Sequence, residues 1–210
     1  MSVTLNQKFQ KRPTHVFDIF LFIDPIDPLC QQCTKQVIDV IDALEQKTYF
    51  HIVPYQTLHT VDTFLKRYQL PTHDLCLRNS IYQLSYLISL SYKAANFQGK
   101  KKARQFLNYL TCYSHDLLNN SSEHIAKAAQ LADLDITMLY EDTHSQAIKD
   151  LYRKDQLMAR KFSITSTPSM IIFNSGQDDG ILLTDNLLSI DFIQDIIANN
   201  YFDFMKVKHS

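Results

Sequence analysis

Residues 72–167 contain no proline and a single glycine, Gly99. Long stretches without these two residues are the condition for uninterrupted helix. The whole chain has only three glycines, the others being Gly176 and Gly180. Glycine-rich phosphate cradles and folds built on many tight β-turns both need more. A nucleotide site on a glycine loop and an all-β architecture are therefore excluded, and the centre of the chain reads as helical.

The two ends read differently. Val16 to Ile23 is aromatic and β-branched, as a buried strand is. Asp24-Pro25-Ile26-Asp27-Pro28-Leu29 follows as a loop forced by two prolines. Val37, Val40, Ile41 and Leu44 then repeat at helical spacing. Tyr49 to Pro54 is a second strand. Strand, helix and strand this close together predict a βαβ unit with a parallel pair and a right-handed crossover.

From Leu58 to Phe162 five or six helices are expected. The apolar rows are Ile81/Leu84/Ile88/Tyr92/Ala95, Ala103/Phe106/Leu107/Leu110 and Ile148/Leu151/Leu157/Met158/Phe162. Asn120 with Glu123 resembles a helix-start pair, and Asp135 is a candidate cap. After Pro168, Met170–Phe173 and Ile181–Leu183 read as an antiparallel hairpin around a turn from Asn174 to Gly180. A last helix near Ser189 carries Phe192, Ile193, Ile196 and Ile197. Neither end has enough strands for its own sheet. The expected architecture is α/β: one small-sheet domain (14–56 and 163–202) interrupted by an inserted all-helical domain (57–162).

Net charge is −1, so the chain lacks the positive excess of a sequence-independent nucleic-acid binder. Met1 to Thr14 is polar and lacks a signal-peptide core. No stretch approaches the roughly 18 apolar residues of a membrane span. A reducing cytoplasmic setting is expected, with neither nucleic acid nor membrane as partner. There cysteines are more often thiols, ligands or redox groups than structural disulfides.

Cys30-Gln31-Gln32-Cys33 is the sharpest chemical signal. A C-x-x-C at the first helix of a βαβ unit reads as a thioredoxin-like redox motif. Unpaired N–H groups and the positive dipole end there favour a thiolate at Cys30. Cys33, one helical turn on, could resolve a mixed disulfide. With neutral glutamines between them, a moderate lowering of the Cys30 pKa is expected. The alternatives are an inert pair or half of a zinc site, which would need two further ligands.

Thr167-Pro168 is the second signal. In a thioredoxin fold a cis-proline here faces the C-x-x-C and offers backbone hydrogen bonds to an extended substrate; the alternative is an ordinary trans proline ending a helix. The candidate catalytic set is Cys30, Cys33, Thr167 and Pro168, with no cofactor and no metal expected. Cys112 reads as a buried hydrophobe and Cys76 as a loop thiol. The histidines show no ligand spacing, and His51 reads as a partly buried strand residue. Asp24 and Asp27 are turn formers or proton acceptors for Cys33. Lys100-Lys101-Lys102 with Arg104 is a solvated helix face or a patch for an acidic partner.

Phe22-Ile23-Asp24-Pro25, followed by Asp27-Pro28-Leu29-Cys30-x-x-Cys33, resembles the F-x-D-P-L-C-P-E-C-W signature of the SpxH (YjbH) family. Tyr92-Lys93-Ala94-Ala95-x-x-Gln98-Gly99-x-Lys101 with Gln105-Phe106-Leu107, Leu134-Asp135 with His144-Ser145-Gln146, and Thr167-Pro168-Ser169-Met170 are similar to it too. The likeness runs over about residues 18–200. It implies a cytosolic adapter of the DsbA-like branch that binds the regulator Spx and promotes its degradation by ClpXP. The partner implied is a protein, either a Spx-like regulator or a dithiol substrate. This chain has C-Q-Q-C where the family pattern has C-P-E-C, and Thr34 in place of its Trp.

Overall fold

The computed structural model describes residues 16–44, 46–110, 115–174, 180–184 and 188–199. Strand β1 (Val16–Ile23) leads into α1 (Pro28–Ala43) and β2 (Lys47–Pro54). Seven helices follow: α2 (Leu58–Arg67), α3 (Leu75–Phe97), α4 (Lys100–Tyr109), α5 (His115–Asn119), α6 (Ser121–Leu131), α7 (Ile136–His144) and α8 (Gln146–Lys161). Strands β3 (Ser169–Asn174) and β4 (Gly180–Thr184) and helix α9 (Ile190–Asn199) complete the described chain. The sheet order is β2-β1-β3-β4. β1 runs parallel to β2 and antiparallel to β3, and β3 pairs antiparallel with β4.

Strand periodicity divides the core. Successive side chains leave a strand on opposite faces. Phe17, Ile19, Leu21 and Ile23 of β1, Met170 and Ile172 of β3, and Ile181 and Leu183 of β4 join one large cluster with α1, α9 and the helices after β2. Phe22, Val53 and Ile171 point the other way and meet Tyr55, Ala159 and Ile164. The Tyr55 hydroxyl donates to the Ile164 carbonyl at 2.9 Å, tying the end of β2 to the segment after α8. Both faces of the sheet are covered, which is why β1 has no simple apolar–polar alternation.

α3 is the axis of the helical block. It packs against α2, α4, α7 and α8, so burial extends around most of its circumference. Two of its three buried serines bond within the helix: Ser89 Oγ donates to the Ser85 carbonyl at 2.7 Å and Ser91 Oγ to the Leu87 carbonyl at 3.0 Å. Gly99, at φ 130°, makes the turn between α3 and α4 in a backbone region that other residues avoid.

Several local expectations are corrected. The helical block has seven described helices rather than five or six, the short α5 being one that periodicity could not resolve. Asn120 stands before α6 without a side-chain cap bond, and its amide nitrogen donates to Asp116 at 2.8 Å. Cys76 is in the first turn of α3, capped by Asp74, and not in a loop. Leu157 is on the solvent side of α8. Asp135 does cap α7, accepting from Met138 N–H at 2.9 Å. Cys112, the turn at 175–179 and the tail from 201 lie outside the described residues.

Candidate functional site around Cys30 and Cys33

The site grows from the prolines and aspartates at the end of β1. Asp24 Oδ1 accepts from Ile26 N–H at 3.2 Å, and Asp27 N–H donates to the Asp24 carbonyl at 3.1 Å. Those bonds fold the chain into a turn. Asp27 then caps α1, accepting from Leu29 N–H at 2.9 Å, with Pro28 at the first helical position, where its missing N–H costs nothing. Cys30 is the third helical residue and Cys33 lies about one turn further. Thr34 Oγ1 donates to the Cys30 carbonyl at 2.8 Å.

Residues distant in sequence close around this turn. The Arg67 guanidinium, at the end of α2, pairs with the Asp27 carboxylate. Its other amino group, Nη2, lies 3.5 Å from the Thr167 carbonyl. The Tyr68 hydroxyl donates to Asp27 Oδ1 at 2.7 Å. Ser85 Oγ of α3 donates to Asp24 Oδ1, also at 2.7 Å. Asp24 Oδ2 is buried without a hydrogen-bond partner among the described residues.

The four sequence-predicted residues are brought together. The Thr167 side chain is near enough to the Cys30 thiol to pull its pKa down slightly against the larger upward effects, and the Thr167–Pro168 peptide bond is cis. Cys33 and Pro168 line an open cleft of about 510 Å³ together with Leu29, Gln32, Gln36 and Arg67. Cys30 and Cys33 are free thiols. Among the described residues no group of three or more His, Cys, Asp or Glu side chains is placed to hold a metal ion.

The electrostatics overturn one expectation. Cys30 is 0% exposed. Burial first, then the charges of Asp27 and Asp24, push its thiol well above the usual range. Cys33, 6% exposed, is pushed up by burial to about 11. The helix-terminus effect is about 0.3–1 kcal/mol in exposed settings and ~2 when partly buried. Withdrawing a thiolate from water costs more than that, and carboxylates rather than cations face it. Asp24 is itself raised to about 7 by burial, against the opposing pull of the Ser85 and Ile26 hydrogen bonds.

Arg67, Tyr68 and Ser85 were not singled out by sequence reasoning. Ser85 had a readable signal, a hydroxyl next to Leu84 on the apolar row of α3. Arg67 and Tyr68 had none, since only tertiary packing brings the end of α2 to the start of α1.

A thioredoxin family model matches residues 20–194. The chain belongs to the thioredoxin family. Among curated relatives of this thioredoxin-family chain is the ClpXP adapter protein SpxH of Bacillus cereus, 30% identical over 104 residues that make up 48% of this chain and 35% of that one. The SpxH of Bacillus licheniformis is 25% identical over an alignment covering 88% of this chain and 69% of the relative. The first match thus spans about a third of the B. cereus protein. The expected resemblance to SpxH proteins is met by these matches. Among solved structures, a thioredoxin-like oxidoreductase from Silicibacter pomeroyi superposes with a TM-score of 0.60 at 16% identity, covering 88% of this chain and 86% of that one. Pseudomonas aeruginosa DsbA2 gives 0.55 at 16% identity, covering 88% and 90%. At that identity they establish the fold: thioredoxin-like and DsbA-like, with a mixed four-stranded sheet and many helices.

Proposed function

We propose that this chain is an SpxH-like adapter that binds a Spx-like regulator in the cytoplasm and delivers it to the ClpXP protease. The observation carrying the reading is the likeness to a ClpXP adapter across 88% of the chain. The site agrees with it in kind. An adapter needs a binding surface, and two buried thiols held protonated are no obstacle to that. The division into a thioredoxin-like domain (14–56 and 163–202) and a helical insertion (57–162) belongs to the same proposal. Purified chain on a surface plasmon resonance chip should bind Spx saturably. A response no greater than that of an unrelated thioredoxin-fold protein would reject the reading.

A second reading is thiol–disulfide exchange, favoured by the open cleft where Cys33 meets Pro168. In it the Cys30 thiolate attacks a substrate disulfide and one substrate sulfur leaves as a thiol. Cys33 then attacks the mixed disulfide, releasing the second thiol and leaving Cys30–Cys33 oxidised. Two electrons pass from the protein to the substrate, and Thr167 and Pro168 hold the substrate backbone. Insulin reduction by the dithiol form no faster than by its Cys30→Ser variant would reject this reading.

A further inference from the structure

Away from the thiols, a cavity of about 200 Å³ lies where β1 and β2 meet α3, α4 and α8. Its charges do not balance. Among the described residues Asp155 is the one carboxylate lining it, and that group pairs with Lys93. Lys100 and Arg104 also line it and form no ion pair with a described residue. The Arg104 guanidinium instead lies 5.2 Å from the Phe50 ring centroid. Lys100 stands in the first turn of α4, beside the positive end of the helix dipole, and Gly99 supplies no side-chain cap there. Cations are unfavourable at that end and anions favourable.

His51 joins them. Its ring stacks on Phe20 at 4.7 Å between centroids. Burial and the charges of Lys100, Lys93 and Arg104 hold the imidazole below its ordinary range, while Asp18, 3.8 Å away, pulls the other way. Apolar surface completes the cavity, notably Met158 and Phe97, the latter 53% exposed. A positive field in a partly enclosed space beside uncovered apolar surface matches a ligand with one anionic end and one apolar end.

We infer that this cavity binds a small aromatic anion, its phosphate or carboxylate held by Lys100, Arg104 and His51 and its ring against Phe97 and Met158. The enclosed volume suits one ring and one anionic group rather than a peptide segment. The contiguous lysines divide accordingly. Lys102 is engaged with Asp133, and Lys101 does not line the cavity.

The test is titration of the full chain with phenyl phosphate at low salt, followed by calorimetry and by the His51 ring resonances. Saturable binding is expected, tighter than for inorganic phosphate and absent for benzyl alcohol. The bound anion should raise the His51 pKa, because it stabilises the imidazolium. Lys100→Gln and Arg104→Gln should each weaken binding about tenfold, the scale of one charged hydrogen bond. Lys101→Gln should leave it unchanged, and thermal melts confirm that each variant is folded. No saturable binding, equal affinity for inorganic phosphate, or a Lys101→Gln loss matching that of Lys100→Gln would overturn the assignment.

Discussion

Replacing Asp24 with asparagine should change how the stability of this protein depends on pH. Asp24 is 1% exposed and its carboxyl is raised from 3.8 to about 7 in the folded chain. Between those values the folded state holds a proton that the unfolded state has lost. The contribution of Asp24 to stability is therefore greatest below pH 4, falls as pH rises through this window, and levels off above 7. Each pKa unit is about 1.36 kcal/mol, so the loss attributable to Asp24 is on the order of 4 kcal/mol. Asparagine does not ionise. Its carbonyl can still accept from Ser85 Oγ and Ile26 N–H, and its amide occupies the unpartnered Oδ2 side. An unsatisfied buried amide costs about 1–3 kcal/mol, and it does so at every pH. The slope therefore carries the test. Urea unfolding of both proteins from pH 4 to pH 8 gives a stability difference in which the other titrating groups largely cancel. That difference should move in favour of Asp24→Asn by several kcal/mol between pH 4 and 7 and be flat above. A difference independent of pH would refute the reasoning.

Further outcomes follow from the same geometry. Arg67→Gln leaves the buried Asp27 carboxylate without its cation and should destabilise the fold by about 2–3 kcal/mol, toward the low end for broken buried pairs because Arg67 is partly exposed; a thermal melt unchanged from the parent would contradict this. A Cβ at Gly180 would stand 2.6 Å from Phe173 Cε1 and 2.9 Å from Ile171 Cγ2. Gly180→Ala should thus cost about 1–3 kcal/mol by overpacking, read from its urea midpoint. In the native protein at pH 8, iodoacetamide should modify exposed Cys76 before buried Cys30 and Cys33. Cys33, with a pKa of about 11, should be slower than in urea-unfolded protein by about a hundredfold or more; equal rates, resolved by peptide mass spectrometry, would contradict the burial argument.

The elements legible in the sequence were those whose causes are local. The aromatic run of β1, the prolines after it and the cysteine spacing of α1 carry their own explanation, and the structure places them as read. Asp27 was legible as a turn former and proved to be the α1 cap. The electrostatic character of Cys30 was not legible. A helix terminus and neutral glutamines predict a lowered pKa, but full burial beside Asp24 and Asp27 reverses the sign. The same holds for Arg67, which reaches Asp27 across 40 residues of sequence. The basic run 100–104 looks like one patch on paper. Folding sends Lys102 to Asp133 and Arg104 to the face of Phe50, and leaves Lys100 at a cavity.

The central claim is that the chain acts as an adapter without needing thiol turnover. Reconstituted proteolysis of Spx by ClpXP and ATP tests it most directly, with no addition, with this protein, and with its Cys30→Ser/Cys33→Ser variant. The account predicts that both forms shorten the half-life of Spx several-fold. A half-life unchanged by the parent protein, or shortened by the parent and not by the serine variant, would contradict it.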